Sequence, residues 1–338
     1  SPPETVSDKL QISDKNMSQI VSLLNAAERP LILAGYGIRL AHGESDFQEV
    51  IDTLQIPFVS SWTASDMIPH SNQLNTGRIG MTGQRGANLA VQNCDLLICI
   101  GSHLSIPLTG TMFKSFAPDA TVVMIDIDDT ELNNETVHVE YPIKGDARLF
   151  LQDLINNQTN GHIDLKDHGD WKTRCEKYRE YNGIREEWKR DTGFVDPYVF
   201  MDVLSDMSGE GEVIVVDGGG TNLYTSFQGF KIKDGQRMTL SSGICAMGTG
   251  LPESIGACFA NDLKQTICLV GDGSFQFNIQ ELQTIVHHQL PVKIFVMNNQ
   301  GYLAIRHTQQ IFLEKNYVGS SENGGVTLPD PCKLASSY

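Results

Sequence analysis

The feature that most constrains this chain is a recurring alternation. Short, continuous apolar runs, each ending in a glycine, aspartate or asparagine, alternate with segments of helical periodicity. Pro30-Leu31-Ile32-Leu33-Ala34 leads into Gly35-Tyr36-Gly37, Asp95 to Ile100 into Gly101, and Thr121 to Ile127 into Asp128-Asp129. Further on, Val213 to Val216 leads into Asp217-Gly218-Gly219-Gly220, Thr266 to Val270 into Gly271-Asp272-Gly273, and Val292 to Met297 into Asn298-Asn299. Runs of four to seven apolar residues without polar alternation are strands covered on both faces, and helices between them supply the cover. The pattern predicts α/β architecture with parallel sheets in three layers.

The pattern occurs twice. The first block has helices over 16–27, 47–54, 86–93 and 147–156, with a further strand over 57–60. The second has helices over 198–207, 248–261 and 279–288. A loop-like Asn157-Gln158-Thr159-Asn160-Gly161 and a charged stretch, Asp167 to Lys189, lie between them. The expected organisation is an arm or linker over 1–16, a central α/β domain over 17–160, a helical connector over 161–194, and a second α/β domain over 195–338. The second domain reads as truncated, because its sheet is short of strands and the chain stops within an incipient helix at 331–338.

With 338 residues, two full cores are available. The formal net charge of -16 argues against a nucleic-acid or anionic membrane partner. No apolar stretch is long enough for a membrane span and no signal peptide is visible, so a cytoplasmic location is expected. The seven cysteines are odd in number, form no C-x-x-C pair and mostly sit in apolar runs. They read as buried reduced thiols, not as a zinc or redox site.

Three strand ends of the second block carry the chemistry. Ligands of open α/β sheets bind beyond the carboxyl ends of the strands. Gly218-Gly219-Gly220-Thr221-Asn222, Gly271-Asp272-Gly273-Ser274 and Asn298-Asn299-Gln300-Gly301 are therefore expected at one edge. Glycines admit a ligand close to the backbone, N–H groups at the following helix starts favour phosphate oxygens, and a carboxylate with a side-chain amide offers hard oxygen ligands to Mg²⁺. Singly, each motif reads as a turn or a cap. Together they describe a diphosphate–Mg²⁺ site.

The stretch GDGSFQFNIQELQTIVHHQLPVKIFVMNNQGY resembles the cofactor motif of thiamine diphosphate enzymes, most closely the acetolactate synthase branch. SSGICAMGTGLPESIGA resembles the segment preceding that motif, and PLILAGYGI and VVMIDID resemble the central domain of the family. The resemblance implies thiamine diphosphate and Mg²⁺ as cofactors. It implies Asp272 and Asn299 as metal ligands by side chain and Gly301 by its carbonyl. Gly271, Gly273 and Ser274 would contact the diphosphate, with Gly219, Gly220, Thr221 and Asn222 on the other side and Tyr302 beside them. Met247 would wedge under the thiazolium and hold the cofactor bent, and the Cys245 carbonyl would hold its 4′-amino group.

The implied reaction is decarboxylation of a 2-keto acid, pyruvate, with carboligation. Alternatives with the same visible residues are another decarboxylation, acyl transfer to a sugar ketone, or a non-catalytic cofactor-binding module. Full-length members add a pyrimidine-binding domain whose glutamate polarises the aminopyrimidine. No residue here matches it, so no catalytic residue is assigned in this chain, and the chain alone is expected to be inactive. The resemblance implies a partner pyrimidine-binding domain, from the full-length protein or a neighbouring subunit, and a homo-oligomer, dimer or tetramer. FAD, which some relatives hold centrally, is not expected. Gly101-Ser102-His103-Leu104-Ser105-Ile106 lacks their arginine-rich pattern, and Gly35-Tyr36-Gly37 lacks the third glycine of a dinucleotide fingerprint.

Overall fold

A computed structural model of the chain describes residues 10–241 and 243–338. Of the expected arm, 1–9 lie outside the described residues; Ile12 is buried and a helix begins at Asp14, capped by Ser13 Oγ. The chain divides after Gly183 into two compact units.

The first unit holds six parallel strands: β1 (Pro30–Ala34), β2 (Phe58–Ser60), β3 (Asn75–Arg78), β4 (Leu96–Ile100), β5 (Thr121–Asp126) and β6 (Tyr141–Lys144). Their order is β3-β2-β1-β4-β5-β6, and every pairing is parallel. The period of two along a strand sends neighbours to opposite faces. Ile32, Ala34, Ile98, Ile100, Val123 and Ile125 enter one core layer, while Leu31, Leu33, Leu97, Cys99, Val122 and Met124 enter the other. Both faces are therefore covered, which is why these strands read as unbroken apolar runs. The helix Glu44–Leu54 starts earlier than its apolar positions suggest, because its first turn is acidic and suits the positive end of the helix dipole.

The charged stretch after residue 161 forms a helix only over Gly169–Arg179, followed by single turns at Glu180–Asn182 and Glu186–Lys189. Trp171 and Cys175 are its buried residues, and the Trp171 indole N–H donates to the Pro30 carbonyl at 2.8 Å. Strand order reverses between β1 and β4. There Gly35 and Gly101 meet so closely that a Cβ on Gly35 would lie 2.1 Å from the Gly101 carbonyl oxygen.

The second unit holds four parallel strands: β7 (Val213–Val216), β8 (Arg237–Leu240), β9 (Thr266–Gly271) and β10 (Val292–Met297), in the order β10-β9-β7-β8. Helices Pro197–Met207, Gly220–Gly229, Gly250–Ala260, Glu281–His287 and Leu303–Phe312 accompany them. A final short helix, Pro331–Ala335, is capped by the Asp330 carboxylate. Both units are thus parallel-sheet α/β domains. All seven cysteines are free, and five of them are buried. No helix among the described residues is long and apolar enough to cross a membrane.

Candidate cofactor and metal site

In the second sheet β8 lies on one side of β7, and β9 and β10 lie on the other. The chain reverses its direction of travel between β7 and β9, so a crevice opens beyond their carboxyl ends. The residues at that edge are Asp217 to Gly220 and Gly271 to Ser274, with Asn298 to Gly301 following β10.

Asp272 sits at the centre, 3% exposed. Its Oδ1 accepts from the Gly273 N–H at 2.8 Å. Its Oδ2 accepts from the Asn299 and Gly301 N–H groups at 3.1 and 3.0 Å. The aspartate after β9 therefore holds the loop after β10 by its backbone. That loop needs unusual dihedrals: Gln300 has φ +60° and Gly301 φ +129°. A Cβ on Gly301 would also lie 2.4 Å from the Ser320 carbonyl oxygen, so glycine is required there on both counts.

The two asparagines have different duties. Asn298 is exposed and accepts from the Gln300 N–H at 3.2 Å, an ordinary turn contact. Asn299 faces Thr221, whose hydroxyl it approaches at 3.5 Å, and its Oδ1 receives a long contact of 3.4 Å from Arg306. Both contacts lie at the weak end of hydrogen bonding, leaving the amide oxygen loosely held.

On the opposite wall, Gly220, Thr221 and Asn222 form the first turn of the helix Gly220–Gly229, which was not legible in the sequence. Asn222 is 1% exposed. Its amide donates to the Asp217 and Leu269 carbonyls at 2.8 and 3.1 Å. The Asn222 Oδ1 is buried without a partner and lies close to Gly219 and Gly271. The side-chain donors of Asn222 are thus committed, and what it turns to the crevice is an acceptor. Ser274 is similarly committed: its hydroxyl donates to Asp217 Oδ1 and accepts from the Gly248 N–H at 2.8 Å. Any contact of these two residues with a phosphate falls to their backbone N–H groups.

Asp217 was not singled out in the sequence, yet it ties the wall together. Its Oδ2 accepts from the Gly248 and Gly250 N–H groups at 3.1 and 2.7 Å. Burial pushes its carboxyl above the usual range, against the pull of the Ser274 hydroxyl and the two N–H donors. Burial likewise raises Glu253, with the Asp217 charge adding to it and a Thr249 hydrogen bond opposing.

These bonds pin the segment that carries Cys245 and Met247. Cys245 adopts φ +51°, and a Cβ on Gly218 would lie 2.1 Å from its carbonyl oxygen. Gly218 therefore allows the Cys245 carbonyl to reach the strand end. Met247 is 40% exposed, a large apolar side chain left partly open to solvent. Tyr302 lies against the other wall: a Cβ on Gly273 would be 2.4 Å from its ring. All the predicted site residues thus belong to this one edge of the second unit, Ser242 of the preceding stretch lying outside the described residues.

The donor set suits a small, hard cation. A buried carboxylate whose hydrogen bonds are all to neutral N–H groups, a loosely held amide oxygen, and a buried acceptor without a donor are all oxygens. No group of three or more His, Cys, Asp or Glu residues suited to a metal occurs among the described residues.

Comparison with known proteins matches two separate segments of the chain to two domain families. Residues 17–154 match the profile for "Thiamine pyrophosphate enzyme, central domain", and residues 217–338 match "Thiamine pyrophosphate enzyme, C-terminal TPP binding domain". Among curated relatives, the acetolactate synthase large subunit of Cyanidium caldarium is 30% identical over 328 residues, covering 96% of this chain and 54% of that protein. Acetolactate synthase isozyme 2 large subunit of Escherichia coli (strain K12) is 30% identical over 335 residues, 99% of this chain and 58% of that protein. A probable acetolactate synthase large subunit of Methanocaldococcus jannaschii is 31% identical over 342 residues, 99% and 55%. The chain spans about half the length of the curated relatives it matches.

Proposed function

Because the chain belongs to the thiamine pyrophosphate enzyme family, we propose that it serves a Mg²⁺-dependent decarboxylation of a 2-keto acid, pyruvate, coupled to carboligation onto an acceptor carbonyl. The observation that carries the reading is the meeting of Asp272, Asn299 and Gly301 at the switch point of the second sheet. Asp272, the Asn299 amide oxygen and the Gly301 carbonyl would hold the ion. Backbone N–H groups of Gly220 to Asn222 and of Gly273 and Ser274 would bind the diphosphate. The exposed Met247 side chain and the Cys245 carbonyl would receive the remainder of the cofactor and set its bend. When bound, the cofactor supplies the electron sink for decarboxylation, and the protein supplies orientation and a fixed electrostatic field.

No residue of this chain is assigned the part of the glutamate that polarises the aminopyrimidine. The reading is of a cofactor-holding half, whose turnover depends on a pyrimidine-binding domain from a longer chain or a partner subunit in a homo-oligomer. FAD plays no part in it. Calorimetric titration with thiamine diphosphate, with and without Mg²⁺, tests the site, with Asp272→Ala as control. Mg²⁺-dependent binding that the substitution abolishes is the expected result. Binding indifferent to both the ion and Asp272 would sink the reading. Product analysis with pyruvate and candidate acceptors, after the pyrimidine-binding domain is supplied, separates carboligation from simple decarboxylation and from transfer to a sugar ketone.

A further inference from the structure

The loop after β10 is held from two sides. On one side stands Asp272; on the other stands Arg306, one turn into the helix Leu303–Phe312. Arg306 Nη2 donates to the Asn299 carbonyl at 2.7 Å, and Nη1 donates to the Gln300 carbonyl at 3.0 Å. Nη2 also makes the long contact of 3.4 Å with Asn299 Oδ1.

The peptide unit between Gln300 and Gly301 is the centre of this arrangement. Its carbonyl oxygen accepts from the guanidinium and its N–H donates to the Asp272 carboxylate. In a trans peptide those two groups point in opposite directions, so the unit is strung between a cation and an anion. Each charge polarises the peptide in the sense that strengthens the other's hydrogen bond. Gln300 meanwhile sits at φ +60°, a conformation a non-glycine residue holds only when its surroundings fix it. The two short bonds from Arg306 supply that fixing. The third contact, to Asn299 Oδ1, is the weakest, so the amide oxygen can be surrendered while the loop stays in place.

We infer that Arg306 is a positioning residue for the metal site: its guanidinium presets the 299–301 loop so that the Asn299 amide oxygen and the Gly301 carbonyl are in place before the ion arrives. This rests on the metal roles proposed above for Asn299 and Gly301. A planar fork bridging two adjacent carbonyls is geometry that arginine provides and lysine does not. The sign of the effect is distinctive. A fixed positive charge beside a cation site weakens binding by repulsion, so its removal would tighten binding if charge alone mattered. Loop presetting predicts the opposite, because loss of a group that orients metal ligands weakens affinity by roughly 10–100-fold.

The test uses Mn²⁺ in place of Mg²⁺, with the full chain and saturating thiamine diphosphate, reading free Mn²⁺ from its aqueous paramagnetic resonance signal. Arg306→Met is expected to raise the Mn²⁺ dissociation constant by about tenfold or more. Arg306→Lys is expected to fall between Met and the unsubstituted protein. Thermal melts in the absence of metal check that the variants are folded; should the Met variant not fold, the Lys variant carries the comparison. Unchanged or tighter Mn²⁺ binding in the folded Met variant, or full affinity with lysine where only that variant folds, overturns the inference. Failure of the unsubstituted protein to bind Mn²⁺ in a manner dependent on Asp272 overturns the proposed site itself, and this inference with it.

Discussion

The hydroxyl of Ser274 donates to Asp217 Oδ1, across 57 residues of sequence, while accepting the N–H of Gly248. With the Gly248 and Gly250 N–H groups on Asp217 Oδ2, this single buried pair joins the end of β7, the approach to the helix Gly250–Ala260, and the turn after β9. The cradle keeps its shape through a carboxylate and a hydroxyl that have little left to offer a ligand.

Removing Ser274 should therefore cost stability before it costs chemistry. Ser274→Ala leaves the Gly248 N–H with one acceptor fewer and Asp217 with one donor fewer. The expected loss is about 1–3 kcal/mol, read from urea unfolding of the full chain. Asp217→Ala should lose more, since three donors are deprived. A double-mutant cycle should give a coupling of about 0.5–3 kcal/mol, as contacting residues do; a coupling of zero would show that the two side chains act independently.

The raised carboxyl of Asp217 makes a prediction with a definite sign. Its folded-state pKa lies above its unfolded value, so protonation favours the folded form. The stability tied to it is fully present below the ordinary aspartate range, near pH 4, and is lost as pH rises through the folded-state value. Glu253 slopes in the same direction. The stability of the unsubstituted protein minus that of Asp217→Asn should accordingly decrease with rising pH from about 4 upward. A flat or rising difference in urea midpoints would contradict it.

Gly301→Ala places a Cβ against the carbonyl of Ser320, a fully buried residue whose hydroxyl also donates to Gln309. That neighbour has no freedom to withdraw. Backbone strain alone should cost about 1–3 kcal/mol. The displaced loop should also lose Mg²⁺-dependent cofactor binding in calorimetry. Gly220→Ala, where a Cβ meets only ordinary contacts at 3.5 Å, should be far milder in stability.

Met247 offers the reverse dissociation of effects. At 40% exposure it contributes little to the core, so Met247→Ala should shift the urea midpoint by no more than a surface change does, within about 0.5 kcal/mol. Thiamine diphosphate affinity should nevertheless fall. If stability drops while cofactor affinity holds, Met247 is core and not a wedge.

The cysteines supply a footprint of the same surface. Burial pushes the Cys94, Cys175 and Cys268 thiols up to about 12, and raises Cys99 further. Cys332 is exposed and Cys245 partly so. A disulfide-exchange reagent at pH 8 should modify Cys332 at once and Cys245 slowly, the remaining five reacting only on unfolding. Bound thiamine diphosphate should protect Cys245 and leave Cys332 untouched.

Legibility in the sequence followed apolar runs. β1, β7 and β10 could be read to the residue, because predominantly apolar runs bounded by turn residues admit one interpretation. β3, β6 and β8 could not, because NTGR, YPIK and RMTL lack an apolar run; edge position alone does not decide it, since β10 is an edge strand as well. The helix Gly220–Gly229 was hidden by the glycines that open it. The ligand-bearing residues of the site were visible because they stand at strand ends. Asp217 stands at one too, but its partners lie 31 to 57 residues away, and no local pattern announces them. Arg306 reaches back over the turn that precedes its own helix, a contact that helical periodicity does not encode.

Asp272 grips the neighbouring loop through peptide N–H groups, which every residue except proline possesses. The carboxylate is consequently blind to the side chain at position 300, which is exposed. The side chain at position 300 can change among residues that tolerate its positive φ, acquiring new neighbours, while the oxygens facing inward keep their places. A site wired in this way separates what it holds from what it meets.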